Sequence, residues 1–414
     1  MIIKPRLQTH VKSYLIASLR WINVLGIETS CDDTAVAIIN DRKKVYSALR
    51  YTNRDEQREK GGICPASVAI QHREKLPNLV SKCMRESGLS YEEIDAIAVT
   101  TKPGLVIALK EGIKTAIEVA RAQKKPLIPV HHMRAHALSG FLCSESLQFP
   151  FLCLLISGGH SLIVLVKQAE DFEILGQSLS GSAGECLDKI ARELNVQSME
   201  GCENIHPGAG LELVAKKASA DGYLRYAVGL PSTPRADMNF SQLKSSFLNL
   251  IKRKKDSDDF SVEDFCSSAQ HFVARHIISK LNAAFDHLNS TGEIKSLRHL
   301  VISGGVASNM YINNGIRKLC SHYNIEHIPV PPHLCTDNAE MIAWTGTLMM
   351  KEKSRDIYKS SDIPDLIYAH AKYEIGNDVR DKLPKKTFNK LSGYTIHDDL
   401  PLKFFNSDMF KSRS

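Results

Sequence analysis

The sequence predicts an α/β protein made of two similar lobes, and three observations carry that expectation. The chain has 414 residues, beyond the roughly 250–300 at which a single hydrophobic core stops growing. Its segment VLGIETSCDDTAVAIIN alternates as two strands around a polar turn. The later segment PFLCLLISGGHSLIVLV repeats that design, and in both halves alternating strands and helices follow. A strand–turn–strand unit that leads into α/β alternation twice over implies a duplicated lobe with a cleft between the copies.

Each element has a local reason. KVYSALRY continues the first hairpin as a third strand. A helical pattern runs from about Ser67 to Glu86, the apolar run AIAVTT is a buried strand, and Pro103-Gly104 opens a further helix. LIPVHHMRAHALSG takes a short apolar strand into a helix that bears histidines. In the second half DFEILGQS is the third strand, and long helices are expected over Phe240–Lys252 and Ser261–Leu288. They precede the strand HLVISGG, a helix from Ser308, the strand HIPV and a helix after Cys335. Beyond Lys351 the chain turns polar and lysine-rich, which fits either peripheral packing or a partly mobile tail. The lobes are therefore expected over residues 24–150, with the histidine pair, and 151–350, with Asp337, followed by a peripheral segment over 351–414.

Composition narrows the class. Apolar residues form 43% of the chain, enough for ordinary cores, yet no stretch approaches the roughly 20 apolar residues of a membrane helix. No membrane partner is expected. The formal charge of +7 suits an anionic partner without proving one. Ten cysteines lie scattered with no CxxC pair, several inside apolar runs, as free thiols of a reducing compartment do. Residues 1–23 carry Lys4, Arg6, Lys12 and Arg20 and no acid, with apolar residues at helical spacing. That is the composition of a mitochondrial presequence; the alternative is a disordered extension.

Several residues are candidates for chemistry. His132 and His136 stand four apart, so one helix face presents both imidazoles to a shared metal. Such pairs also arise by chance. Asp337, directly before a helix and after a strand, supplies a third donor at the kind of position where open α/β sheets hold ligands. A His2Asp set with open positions suits zinc or ferrous iron. It is no zincin motif, because Met133 replaces the required Glu. ISGGH (Ile156 to His160) and ISGGVASN (Ile302 to Asn309) are glycine-bearing turns at strand ends that can approach an anion closely, although a lone SGG is often just a tight turn. GxxxxGK[ST] and GxGxxG are both missing. Asp188 on an early helical turn can accept from a ribose hydroxyl or simply face solvent. Asp32 and Asp33 in the first hairpin turn can orient water, metal or a reacting amine, or merely form the turn. Basic runs around Lys252–Lys255, Arg121–Lys125 and Lys385–Lys390 offer at most the sequence-independent part of RNA binding.

Taken together, GIETSCDDTAVAI, GGICPAS, HRE, KPGL, HHMRAHAL, FLCLLISGGHSL, GECLDKIAREL, NFSQLKSSF, ISGGVASN and CTDNAEMIAW resemble, in order, the tRNA N6-adenosine threonylcarbamoyltransferases, once called glycoproteases. The likeness spans about Val24 to Gly346 and points to the mitochondrial branch. It implies the actin-like ATPase/sugar-kinase (ASKHA) superfold with RNase H-like lobes. It also implies transfer of a threonylcarbamoyl group from threonylcarbamoyl-AMP, made by a separate synthase, to N6 of adenosine 37 in tRNAs reading ANN codons. One divalent metal per subunit, zinc or iron, a homodimer and the mitochondrial matrix complete the implication. His132, His136 and Asp337 match the family's metal ligands. Ile156, Ser157, Gly158, Gly159 and His160 match the segment that binds the donor's carbamoyl and phosphate region. Asp188, Gly208, Glu212, Ser308 and Asn309 match adenylate contacts, and Asp32 matches an acid of catalysis. Ser180 departs from a family Asp, Gln242 from a usual Gly, and Lys110 and Glu111 from small residues. Gly208 lies in a Pro207-Gly208-Ala209-Gly210 variant of the expected glycine pair.

Three rival functions remain open on residues alone. They are a metallopeptidase, disfavoured by Met133, a small-molecule kinase of the same superfold, and a nucleotide-gated scaffold without catalysis.

Overall fold

A computed structural model describes residues 21–384 apart from 61 and 204. The presequence expected over 1–23 lies outside the described residues up to position 20. Residues 21–23 already belong to the fold: the Arg42 guanidinium sits 3.6 Å from the Trp21 ring centroid, and Asn23 opens the first strand.

The first half supplies β1 (Asn23–Glu28), β2 (Thr34–Asn40), β3 (Val45–Tyr51), α1 (Pro65–Ser87), β4 (Ala96–Lys102), α2 (Val106–Ala122), β5 (Leu127–His131) and the short α3 (His132–Leu138). β1 and β2 are buried along their whole length, as strands covered on both faces are. α1 begins with Pro65 at its first position and ends on Gly88 at φ 69°, the usual asymmetry of helix ends. Its buried stripe of Leu76, Val80 and Cys83 joins Leu25, Val36 and Leu109 in one apolar core.

The second half supplies β6 (Phe151–Ile156), β7 (Ser161–Val166), β8 (Phe172–Gln177), α4 (Ala183–Glu193), α5 (Pro207–Ala215), α6 (Phe240–Lys254), α7 (Val262–Thr291), β9 (His299–Ser303), α8 (Met310–His322) and β10 (Glu326–Pro329). α9 (Ala339–Lys351) and β11 (Asn377–Asp378) follow. The first sheet has the order β3-β2-β1-β4-β5 and the second β10-β9-β6-β7-β8-β11. With β11 set aside, the second order repeats the first strand for strand. In each sheet an antiparallel three-strand meander is extended by two parallel strands. Duplication is therefore visible in topology.

The chain forms two compact units: residues up to Ala135 with Asp337–Tyr373, and His136–Thr336 with the segment from Glu374. The limits expected from sequence, 24–150 and 151–350, differ at the end that matters. Asp337 and α9 join the first unit, not the second. The cause is packing. A Cβ on Gly26 of β1 would lie 2.5 Å from Ala343 N and 2.6 Å from Ala339 O, so α9 rests directly on β1 where no side chain intervenes.

The segment expected as a peripheral tail is structured as far as 384. Ile363 and Ile367 are buried in the first unit's core, Tyr358 bridges Leu127, and the Arg121 guanidinium donates to the Ile363 carbonyl at 2.9 Å. Residues 374–384 belong to the second unit. There Asn377 and Asp378 pair with β8, and Arg380 reaches Asp237 at 3.0 Å and Asp378 at 2.7 Å. Residues 385–414, including Lys385–Lys390, lie outside the described residues.

Gly26→Ala is expected to destabilise the first unit by about 1–3 kcal/mol, the usual range for overpacking, because backbone and not a flexible side chain stands in the way. A lowered urea midpoint at unchanged slope would register it; an unchanged midpoint would refute the close approach.

Candidate metal centre

β5 ends at His131 and α3 begins at His132 with no intervening loop, so the parallel strand aims the helix start directly. The i, i+4 spacing of His132 and His136 puts both rings on one face of α3. Both are buried, at 8% and 5% exposure. Asp337 immediately precedes Asn338, whose side chain caps α9 by accepting from Met341 N–H at 2.9 Å. The cap fixes where the carboxylate emerges. One donor atom each from His132, His136 and Asp337 lie within 4.8 Å of one another. The three residues singled out by sequence therefore converge.

His132 Nε2 stands 3.4 Å from Asp337 Oδ1. Two donors each about 2.1 Å from a tetrahedral ion are themselves about 3.4 Å apart, so this pair fits a small divalent cation. Electrostatics agree. Burial by itself lowers the His132 pKa, but the Asp337 and Glu28 carboxylates outweigh it and raise it to about 10. Two acids flanking one imidazole favour positive charge at this place, and a cation bound to the neutral ring satisfies the same demand.

Glu28 is the residue that sequence reasoning passed over. It is fully buried, and its Oε2 lies 3.2 Å from His132 Nδ1 while accepting from Thr100 Oγ1 at 2.5 Å. Its Oε1 accepts from Ser30 N–H at 2.5 Å. Burial raises the Glu28 pKa, but the neighbouring imidazolium more than offsets it and holds the carboxyl ionised. An acceptor on Nδ1 fixes the tautomer and turns the Nε2 lone pair toward the metal side. The signal was present as an acid at the end of an otherwise apolar strand, VLGIE. The turn after it is packed tightly, since a Cβ on Gly112 would lie 2.1 Å from Thr29 Oγ1. That explains a glycine inside α2.

Asp32 and Asp33 follow. The Asp32 carbonyl accepts from Gln71 Nε2 at 2.8 Å, and the same amide donates to Thr34 Oγ1 at 2.9 Å. His72, fully buried, donates from Nε2 to the Cys31 carbonyl at 2.9 Å, leaving Nδ1 to accept from Thr34 Oγ1 at 2.7 Å. α1 thus clamps the turn that presents Asp32. Burial is the main reason that the Asp33 pKa rises to about 6, against the hydrogen bond from Thr52 that lowers it.

In the second unit the predicted nucleotide residues fall into two groups. Asp188 Oδ1 accepts from Gly208 N–H at 3.0 Å and lies 3.3 Å from His206 Nδ1; burial chiefly raises its pKa. Glu212 Oε1 accepts from Met310 N–H at 2.9 Å, tying α5 to the Ser308–Asn309 corner. The Asn309 side chain is already engaged, accepting from Ile312 N–H at 3.0 Å as the cap of α8 and donating to Gln270 at 2.9 Å. Ser308 is exposed and donates to the Gly305 carbonyl at 2.6 Å.

After Ile156, the Ser157 hydroxyl accepts from Gly159 N–H at 3.3 Å and His160 N–H at 3.1 Å. Those two donors of the expected anion nest are turned to the loop's own serine. Gly158 and Gly159 have nothing within 4 Å of an added Cβ, so the loop has room for a ligand oxygen. Ser180, where the resemblance implies an acid, donates to Ser241 Oγ at 2.9 Å, and the nearby Glu185 pairs with Lys244 at 2.6 Å.

A duplicated meander-plus-parallel sheet defines a protein of the actin/sugar-kinase fold class, and its His2Asp donor set at the end of a parallel strand could hold a metal ion. The crystal structure of T. kodakarensis HypF shares the fold at a TM-score of 0.50, with 18% identity over 80% of this chain and 48% of that one. The model of the TsaD family, tRNA N6-adenosine threonylcarbamoyltransferase, matches residues 44–344. The Caenorhabditis elegans protein named probable tRNA N6-adenosine threonylcarbamoyltransferase, mitochondrial, is 50% identical over 393 residues, 94% of this chain and 93% of its own. The mitochondrial human enzyme of that name is 35% identical, covering 78% of this chain and 80% of its own. The chain belongs to the tRNA N6-adenosine threonylcarbamoyltransferase family.

Two expectations follow. Glu28→Gln keeps a hydrogen-bond acceptor but removes the charge, so metal affinity should fall about 10–100-fold in chelator competition; equal affinity would deny Glu28 its role. Asp33→Asn addresses pH. A carboxyl whose folded pKa is raised binds its proton more tightly folded than unfolded, so stability falls as pH rises from its ordinary value to about 6. The variant should melt above wild type at pH 7.5, and the difference should vanish near pH 4.

Proposed function

We propose that the chain transfers the threonylcarbamoyl group of threonylcarbamoyl-AMP to N6 of the adenosine just 3′ of the anticodon in tRNAs reading ANN codons. It acts in mitochondria as a homodimer, with one zinc or iron ion per subunit and a separate synthase supplying the donor. The observation that carries this reading is the convergence of the His132, His136 and Asp337 donors in a chain of this family. When bound, the metal supplies Lewis acidity and a template for the donor's carbonyl.

The rest falls to side chains and backbone. The donor is a mixed anhydride, already activated, so no covalent enzyme nucleophile is required. The N6 amine attacks the carbamoyl carbon, the bond from that carbon to the phosphate oxygen breaks, AMP departs with the electron pair, and the amine gives up a proton. Asp32, held by Gln71 through its carbonyl, takes that proton. The turn from Ile156 to His160 receives the phosphate, its Gly159 and His160 N–H groups exchanging the long bonds to Ser157 for a charged acceptor. Asp188, with Gly208 beside it, accepts from the ribose, and Glu212 holds the Ser308–Asn309 corner against the adenine. Positioning and charge stabilisation account for the rate.

Mass spectrometry of mitochondrial tRNA nucleosides in cells lacking the gene tests the reading. Wild type should restore N6-threonylcarbamoyladenosine and Asp337→Ala should not; full restoration by the variant would exclude the metal. Asp32→Asn should reduce kcat about 10²–10⁴-fold if the acid takes the proton. Unchanged turnover would remove Asp32 from the chemistry.

A further inference from the structure

We propose that Tyr373 and Tyr368, with Lys102 beside them, form a stacking platform for unpaired anticodon-loop nucleotides of tRNA; the proposal rests on the reading of tRNA as acceptor given above. The stretch from Leu366 to Tyr373 lies beyond the family match that ends at 344. It is bound to the strand ends that serve the metal centre. His370 N–H donates to the Thr101 carbonyl at 3.2 Å, and Gly104 N–H donates to the His370 carbonyl at 3.2 Å. His131 Nε2–H donates to the Tyr373 carbonyl at 3.3 Å. Thr101 adjoins Thr100, the donor to Glu28, and His131 adjoins the ligand His132. The stretch is therefore anchored to residues that adjoin the site in the chain.

What the stretch displays is unusual for a plain packing segment. Ile363 and Ile367 are buried, as anchoring requires, yet Leu366 is 60% exposed, Tyr368 72% and Tyr373 49%. Lys102 Nζ sits 3.9 Å from the Tyr373 ring centroid, and the His370 ring lies 5.3 Å away, tilted by 57°. Lys372 is also exposed. Of the nearby acids, Asp365 is paired with Arg121 at 2.6 Å, while Glu374, next to Tyr373, is exposed.

Exposed aromatic rings, one of them with Lys102 over a face, match single-stranded RNA, whose bases stack on open ring faces while phosphates meet the cations. The chemistry demands such a partner. An N6 amine inside a stacked loop is shielded, so the flanking nucleotides must be held while the target base enters. Stacking accepts any base, which suits an enzyme that serves several tRNAs.

The test uses the full chain, an unmodified tRNA transcript reading an ANN codon and its isolated anticodon stem-loop. Tyr373→Ala and Tyr368→Ala should each weaken binding of both RNAs about tenfold, the usual loss for one stacked base. KM for tRNA should rise while kcat and KM for the donor stay near wild type. Tyr373→Phe should bind like wild type, and Lys102→Ala should reduce the slope of log affinity against log salt by about one. Melting temperature and metal content report folding; since Tyr368 is the more exposed ring, its variant decides if Tyr373→Ala unfolds. Wild-type RNA affinity in Tyr368→Ala and in a folded Tyr373→Ala overturns the platform, as does a change of oligomeric state with RNA affinity unaltered. A wild-type protein that neither binds tRNA nor modifies it overturns the functional reading and the platform with it.

Discussion

The contact between the Glu28 carboxylate and His132 Nδ1, 3.2 Å apart and buried, is the interaction on which the site depends. A buried carboxylate costs several kcal/mol unless it is paired and hydrogen-bonded. Glu28 meets that condition through Ser30, Thr100 and His132. Each partner arrives from a different part of the first unit: the turn after β1, the end of β4 and the start of α3. The sheet order β2-β1-β4-β5 places β1 beside β4 and β4 beside β5, and so brings these parts together. One ionised acid in the centre of the sheet thereby fixes the imidazole on which the donor set turns.

α9 answers to the same constraint. Its close seat on Gly26 sets where its N-terminus falls, and with it Asn338 and Asp337. A carboxylate more than two hundred residues from the histidines in sequence reaches the site because a strand lacks a side chain at one position. The structured part of the C-terminal segment extends this economy. Apolar anchors at Ile363 and Ile367 lay the following residues across the ends of β4 and β5, beside the candidate donor set.

The loops expected to hold the nucleotide are built by a different principle. Asp188 accepts from Gly208 N–H beside the His206 ring, Glu212 accepts from Met310 N–H, and Ser157 occupies the donors of its own turn. Such loops are held in shape by weak internal bonds of neutral or single-donor type, which a charged ligand can replace at little cost.

The sequence by itself determined the duplicated α/β plan, the strand that runs into the histidine helix and the three candidate metal donors whose side chains the fold brings within 4.8 Å of one another. Periodicity, the i, i+4 spacing and the polar turns are local properties, and local properties are written in order along the chain. It also carried the family likeness, because long ordered motifs survive translation into a line of letters. Tertiary structure alone decided that Asp337 belongs with the first unit, that Glu28 orients His132, that Asn309 is spent as a cap, and that residues 352–384 pack as structure. Each of these depends on which distant groups meet inside the fold. A glycine's missing Cβ or an acid's burial has no meaning until the other side of the contact is in place.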